Sequence, residues 1–278
     1  MMRLAVSNIA WPAAQADAVY DVLAELSVPG LEIAPGILFA GEPDPFVPSE
    51  AALRTVTARL DKAGLTLCSM QSLLFGVAGA ELFGAPEARG AFEGGLLRAI
   101  ALAGRLGIPN LVVGSPRNRV IPDLFSPEQV REISLKLFRR LGDRAAQAGC
   151  VLAMEPNPAV YGTNFLTTLE ETDAFVRAVD HPAVRVNFDV GAMHVNGAFA
   201  HLEAALAVSR PRISHVHLSE PQLGPVPGSV DEARIVFAAL TAAGWEGWVS
   251  IEMRADPDDP VGAVRRAVRA TLSAMGAA

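Results

Sequence analysis

The sequence predicts an α/β fold, a (β/α)8 TIM barrel of a single domain, from three observations. Short apolar runs alternate with longer amphipathic stretches eight times along the chain. The chain has 278 residues, close to the length typical of that barrel. The first apolar run leads into Asn8-Ile9-Ala10-Trp11-Pro12. The rival architecture, an open doubly wound sheet, would normally carry a Gly-rich phosphate loop there.

Each element has a local reason. Strands are expected at 4–7, 30–34, 66–71, 110–114, 151–155, 184–189, 213–218 and 248–252, where apolar runs break into Pro, Gly or loop chemistry. Helices are expected at 16–26, 50–63, 86–106, 127–148, 169–179, 200–208, 230–243 and 261–275, between those runs. Ser126-Pro127-Glu128 sets a cap residue before a proline at the first helical position. Gly64, Gly107, Gly149 and Gly244 each follow a helix and precede a strand. No low-complexity linker interrupts the pattern, so residues 1–278 read as one domain.

Composition narrows the function classes. A hydrophobic content of 51% supplies a large core and excludes a disordered chain. A net charge of -7 argues against a nucleic-acid partner, whose phosphates require a basic face. Cys68 and Cys150 lie in apolar runs and read as buried thiols in a reducing compartment. The start, MMRLAVSNIAWP, lacks the long apolar stretch of a signal peptide, and no apolar run reaches membrane-spanning length without Gly, Pro or charge. A cytoplasmic protein without a membrane partner is the expectation.

Barrel geometry assigns function to position, because active sites of this fold lie at the carboxyl ends of the strands. Four polar residues end apolar runs in the second half of the chain. They are Glu155 in VLAMEPNP, Asp189 in VRVNFDVG, His217 in RISHVHLSEP and Glu252 in WVSIEM. Parallel neighbouring strands would bring them to one point, and two Glu, one Asp and one His around one point make a divalent-metal site. The strand period of two adds Ala153, Asn187, His215 and Ser250 one layer below. Three of those are polar, which suits support for ligands. Carboxylates with one imidazole favour one Mn²⁺, with Mg²⁺, Co²⁺ or Zn²⁺ as alternatives. Such an ion would polarise a carbonyl, and Glu155 and Glu252 would exchange a proton with the adjacent carbon.

Further candidates end the earlier strands. Glu32 and Gln71 could each hold a sugar oxygen; a salt bridge or a loop cap is the other reading. Arg117 and Arg119, in GSPRNR, suit a phosphate or carboxylate of a substrate. Alternatively they neutralise the acidic site or bind a glutamate of a neighbouring subunit in a homo-oligomer. Trp11 could stack on a sugar face or pack in the core. His194 is expected to contact substrate, and His215 to be a buried, hydrogen-bonded histidine.

The segments MEPNP (154–158), NFDVGAMHVNG (187–197), HVHLSEP (215–221) and VSIEM (249–253) resemble the xylose isomerase-like barrel superfamily, in particular its sugar-phosphate isomerases/epimerases and ketose 3-epimerases. The resemblance covers essentially the whole chain. It implies a Mn²⁺-like ion held by Glu155, Asp189, His217 and Glu252, with Glu155 and Glu252 as the acid–base pair. It also places Glu220, three residues after the ligand histidine, among the substrate contacts. Tyr161 and Leu223 stand where the epimerases carry Glu and Arg, so the metal set transfers better than the substrate shell. The related inosose dehydratases share the scaffold and a similar metal set. The endonuclease-like branch needs several more histidine ligands, including ones on strands two and three, where this chain offers Glu32 and Gln71 and has only five histidines in all, so its trinuclear zinc site is not expected. These readings converge on a metal-dependent isomerase or epimerase of a small sugar or sugar derivative. An inosose dehydratase-like lyase and a non-catalytic sugar-binding barrel are the alternatives.

Overall fold

The computed structural model describes residues 2–276, and its eight strands close into a barrel in sequence order. Along the chain run β1 (Arg3–Ser7), α1 (Ala16–Glu25), β2 (Gly30–Ile33), α2 (Pro35–Leu38), α3 (Glu50–Ala63), β3 (Thr66–Met70), α4 (Pro86–Leu106) and β4 (Asn110–Val113). There follow α5 (Pro127–Gln147), β5 (Val151–Met154), α6 (Leu169–Val179), β6 (Val184–Asp189), α7 (Val190–Val195), α8 (Leu202–Ser209), β7 (Ile213–Ser219), α9 (Val230–Ala242), β8 (Trp248–Glu252) and α10 (Pro260–Met275). Every expected strand is present with its ends shifted by at most one residue. Two short helices, α2 and α7, were not expected, because each begins directly after a strand where the sequence reads as loop.

The punctuation acts as its chemistry requires. Ser126 starts α5 with a capping box: its hydroxyl accepts from Gln129 N at 3.3 Å, and the Gln129 side chain accepts from Ser126 N at 2.8 Å. Gly64 and Gly107 end α3 and α4 at φ of 66° and 67°, the left-handed region that a side chain disfavours.

Contacts are densest within two groups of elements, one built on β1, β2 and β8 with most of β7, the other on β4, β5 and most of β6. In the first, β1 pairs in parallel with β2 and with β8, and β7 pairs with β8. Gly30 stands opposite Ala5, where an added Cβ would lie 2.6 Å from the Ala5 methyl and 2.7 Å from the Leu4 carbonyl. Only glycine lets these two backbones approach so closely.

In the second group β4 pairs with β5 and β5 with β6. A small polar network lies inside it. Asn110 Nδ2 donates to Ser69 Oγ at 3.0 Å, and Ser214 Oγ donates to Asn110 Oδ1 at 2.8 Å. Outside it, Phe138 and Phe165 both meet Phe175 edge-on, joining α5 and the segment before α6 to α6. β2 and β4 are buried along their whole length, which accounts for their mainly apolar sequences, Glu32 and Asn110 apart. Among the described residues, no helix is long and apolar enough to cross a membrane.

Candidate metal centre

His215 and His217 are two residues apart on β7, so both rings project from the same face of the strand. Both are fully buried, as is Glu32 on β2. Glu32 Oε2 lies 3.1 Å from His217 Nε2 and 3.0 Å from His215 Nε2, and the two rings meet edge to face. Burial alone would raise the Glu32 carboxyl, but the charge of His217 and hydrogen bonds from both imidazoles hold it well below the usual range.

The other nitrogen of His217, Nδ1, lies 3.2 Å from Glu252 Oε2 and 3.6 Å from Asp189 Oδ2. Asp189 ends β6 and caps α7, where its Oδ1 accepts from Ala192 N. Its Oδ2 accepts from the Ser219 hydroxyl at 2.9 Å, and that same hydroxyl accepts from Gly191 N at 2.9 Å. Asp189 is therefore fixed in orientation by its own helix and by β7.

Glu155 follows β5 and is half-buried. Its Oε1 accepts from Asn187 Nδ2 at 2.9 Å and its Oε2 from Asn157 Nδ2 at 3.0 Å. The β5–β6 register pairs Met154 with Val186 and, continued by one residue, sets Glu155 beside Asn187. The carboxylate also lies against the Gly114 backbone, where an added Cβ would stand 2.6 Å from Oε2. Behind it, the fully buried Arg119 donates from Nη2 to the Glu155 carbonyl at 3.1 Å and to Asn157 Oδ1. Burial draws the Arg119 guanidinium down to about 10, with the Glu155 carboxylate pulling it back up.

Among the described residues, Asp189, His217 and Glu252 each offer a ligand atom within 4.8 Å of the others, and Glu32, His215 and His217 form a second such group. The first group fits a divalent ion on its own chemistry. With Nε2 turned to Glu32, His217 Nδ1 faces carboxylate oxygens of Glu252 and Asp189. A nitrogen facing two anionic oxygens calls for positive charge between them, which a proton on Nδ1 or a divalent ion in its place supplies. Carboxylates with one imidazole suit Mn²⁺ or a similar ion.

The remaining expected site residues have the following surroundings. Glu32 is not a substrate contact, because it is fully buried against the two histidines. Arg119 is not at the mouth either; its guanidinium is enclosed and bonded to the chain that carries Glu155. Trp11 is buried and meets Tyr20 edge-on, so it packs in the core rather than offering a face to a sugar. Arg117 is exposed in the turn after β4, and Gln71 follows β3 with 8% of its surface accessible. His194 lies on α7, stacked on Phe199 at 4.1 Å, with Nε2 4.0 Å from Glu232 Oε2. Glu220 Oε1 accepts from Gly228 N at 2.7 Å and closes the loop after β7.

The expected single layer of ligands is also corrected. On the sheet, His217 is level with Ser250, and Ser219 is level with Glu252. Support for Glu155 likewise comes from Asn187 beside it rather than beneath it. Two supporting residues, Asn157 and Ser219, escaped the sequence reading. Ser219 stands two residues beyond His217 on β7, so the strand period would have flagged it, whereas Asn157 lies in the loop after β5 and no periodicity reaches it.

Comparison with known proteins places this geometry. The inosose dehydratase of Geobacillus thermodenitrificans is 28% identical over 55% of this chain and 59% of its own length. The 3-dehydro-D-guloside 4-epimerase of Escherichia coli is 27% identical over 61% of this chain and 65% of its own length. The chain thus matches less than two thirds of either relative. The structure of D-psicose 3-epimerase from Clostridium cellulolyticum, solved with D-tagatose, superposes with a TM-score of 0.79 over 99% of both chains at 18% identity, a likeness of fold. The sequence model of the xylose isomerase-like TIM barrel family matches residues 21–274, and the chain belongs to that family.

Proposed function

We propose that this chain is a cytoplasmic, divalent-metal-dependent isomerase or epimerase of a small sugar or sugar derivative, acting by proton transfer next to a carbonyl. One observation carries the reading: Asp189, His217 and Glu252 offer ligand atoms within 4.8 Å of one another, and Glu155, which follows β5, is assigned as the fourth ligand. A bound ion, Mn²⁺ by preference, would supply Lewis acidity to a carbonyl and so acidify the adjacent C–H. Glu155 and Glu252 are the residues assigned to remove and return the proton. Asn157 and Asn187 hold one Glu155 oxygen each and so fix the plane of its carboxylate. Gln71, Arg117, His194 and Glu220 are the candidates for substrate contact. The 4-epimerase relative supports proton transfer at a keto sugar derivative as the chemistry.

A second reading has its own support in the match to an inosose dehydratase. The same proton abstraction would then be followed by loss of a hydroxyl from a cyclic keto-polyol. One experiment separates the readings. The Mn²⁺-loaded protein is incubated in D₂O with a panel of ketoses, ketose phosphates, keto-glycosides and keto-inositols, and products are followed by NMR and ultraviolet absorbance. Deuterium incorporation with a stereoisomeric product supports the epimerase, and a new absorbing enone or dione supports the lyase. Binding without exchange would leave a sugar-binding barrel. Exchange that survives both Glu155→Gln and Glu252→Gln would overturn the acid–base assignment.

A further inference from the structure

Glu32 lies inside the barrel with no surface of its own, yet it meets the one imidazole of the candidate ligand set. Its Oε2 is 3.1 Å from His217 Nε2 and 3.0 Å from His215 Nε2. From the other edge of the His217 ring, Nδ1 looks toward Glu252 and Asp189 at 3.2 and 3.6 Å. We propose that Glu32 is a positioning residue: it keeps a proton on His217 Nε2 and thereby aims a bare Nδ1 at the divalent ion, while His215 steadies the shared carboxylate oxygen. The proposal rests on the metal-site reading above.

The argument is one of valence. A neutral imidazole has one N–H and one lone pair, so the partner of one nitrogen decides what the other can do. With an acceptor at Nε2, the lone pair belongs to Nδ1 and is free to bind an ion. Without it, the proton can move to Nδ1, where Glu252 would accept it, and that tautomer offers the ion nothing. A carboxylate behind a ligating imidazole also raises its basicity. Glu32, His215 and His217 could instead be read as a second ion site. His217 Nε2 is hydrogen-bonded to Glu32 Oε2 at 3.1 Å, and the number of ions bound per chain separates the two readings.

The test measures binding of Mn²⁺ and Zn²⁺ alone, by calorimetry and by metal analysis, for the wild-type protein and Glu32→Gln. Long-range ¹H–¹⁵N correlation spectra of the Zn²⁺-loaded proteins read which nitrogen of each histidine carries the proton. Melting in EDTA monitors the fold. The expected result is one ion per wild-type chain, a proton on His217 Nε2, and an affinity about 10–100-fold weaker in a folded Glu32→Gln. A folded variant that binds as tightly as wild type overturns the proposal, as does a proton on His217 Nδ1 or a second ion per chain. If Glu32→Gln does not fold, the wild-type spectrum decides by the position of the His217 proton. A wild-type protein that binds no ion at all overturns the metal-site reading itself, and that outcome is seen before any variant is made.

Discussion

Ser219→Ala isolates the hydroxyl that links β7 to Asp189. In the folded protein this group, 2% exposed, donates to Asp189 Oδ2 and accepts from Gly191 N, both at 2.9 Å. The bond to the carboxylate contributes about 1.5–3 kcal/mol, and a buried Gly191 N–H left without a partner costs about 1–3 kcal/mol. Because one deletion removes both and the backbone relaxes in part, a loss of about 2–4 kcal/mol is expected. Unfolding entropy of ~2.1 cal/mol/K per residue gives about 0.6 kcal/mol/K for the chain, so Tm should fall by about 3–7 °C. Calorimetry in EDTA checks this without any contribution from bound ion. If the hydroxyl acts through Asp189, then Ser219→Ala should cost about 1 kcal/mol less in an Asp189→Asn background. A Tm change below about 1 °C, or an equal cost in both backgrounds, would refute the reasoning.

Three further outcomes are expected. Mn²⁺ at a hundred times its Kd should stabilise the protein by about 2.7 kcal/mol and raise Tm over the EDTA value by about 5 °C; an unchanged Tm counts against the site. Gly30→Ala forces a methyl to within 2.6 Å of the Ala5 side chain and 2.7 Å of the Leu4 carbonyl. Overpacking there should cost about 1–3 kcal/mol or more, seen as a Tm drop of several degrees or loss of soluble protein. Burial pushes the Cys150 thiol up to about 11 and raises Cys68 well above its usual value. Raised values mean that both thiols stay protonated at pH 8, so a disulfide reagent should leave the native protein untouched and titrate two thiols once it is unfolded. Rapid reaction of the native protein would show that one of them is misplaced.

The barrel was legible because its strands are largely apolar, with glycine ends or capped starts marking several of the helices. Burial of a polar strand-end residue was not legible. Glu32 and Gln71 occupy similar places in sequence, yet one is sealed against two histidines and the other keeps some access. The difference depends on which side chain of a distant strand reaches across, here His217 from β7, and no local pattern encodes that. Arg117 and Arg119 show the same limit. Two positions apart in one short turn, one is exposed and the other is enclosed under Glu155. Asp189, His217 and Glu252 were legible as a set because charged or imidazole groups at strand ends are costly to bury without one another. Support by Asn157 and Ser219 depends on register and on loop closure, which the residue types alone leave open.

Asp189 is both the end of β6 and the first cap of α7, so no single substitution there reports on one role alone. Alanine would delete the carboxylate and uncap the helix that carries His194, adding about 1 kcal/mol of local fraying to any loss of ion affinity. Asparagine keeps a side-chain oxygen for Ala192 N while discarding the charge. Comparing the two, by amide exchange along 190–195, assigns any defect either to electrostatics or to the mechanical footing of the helix.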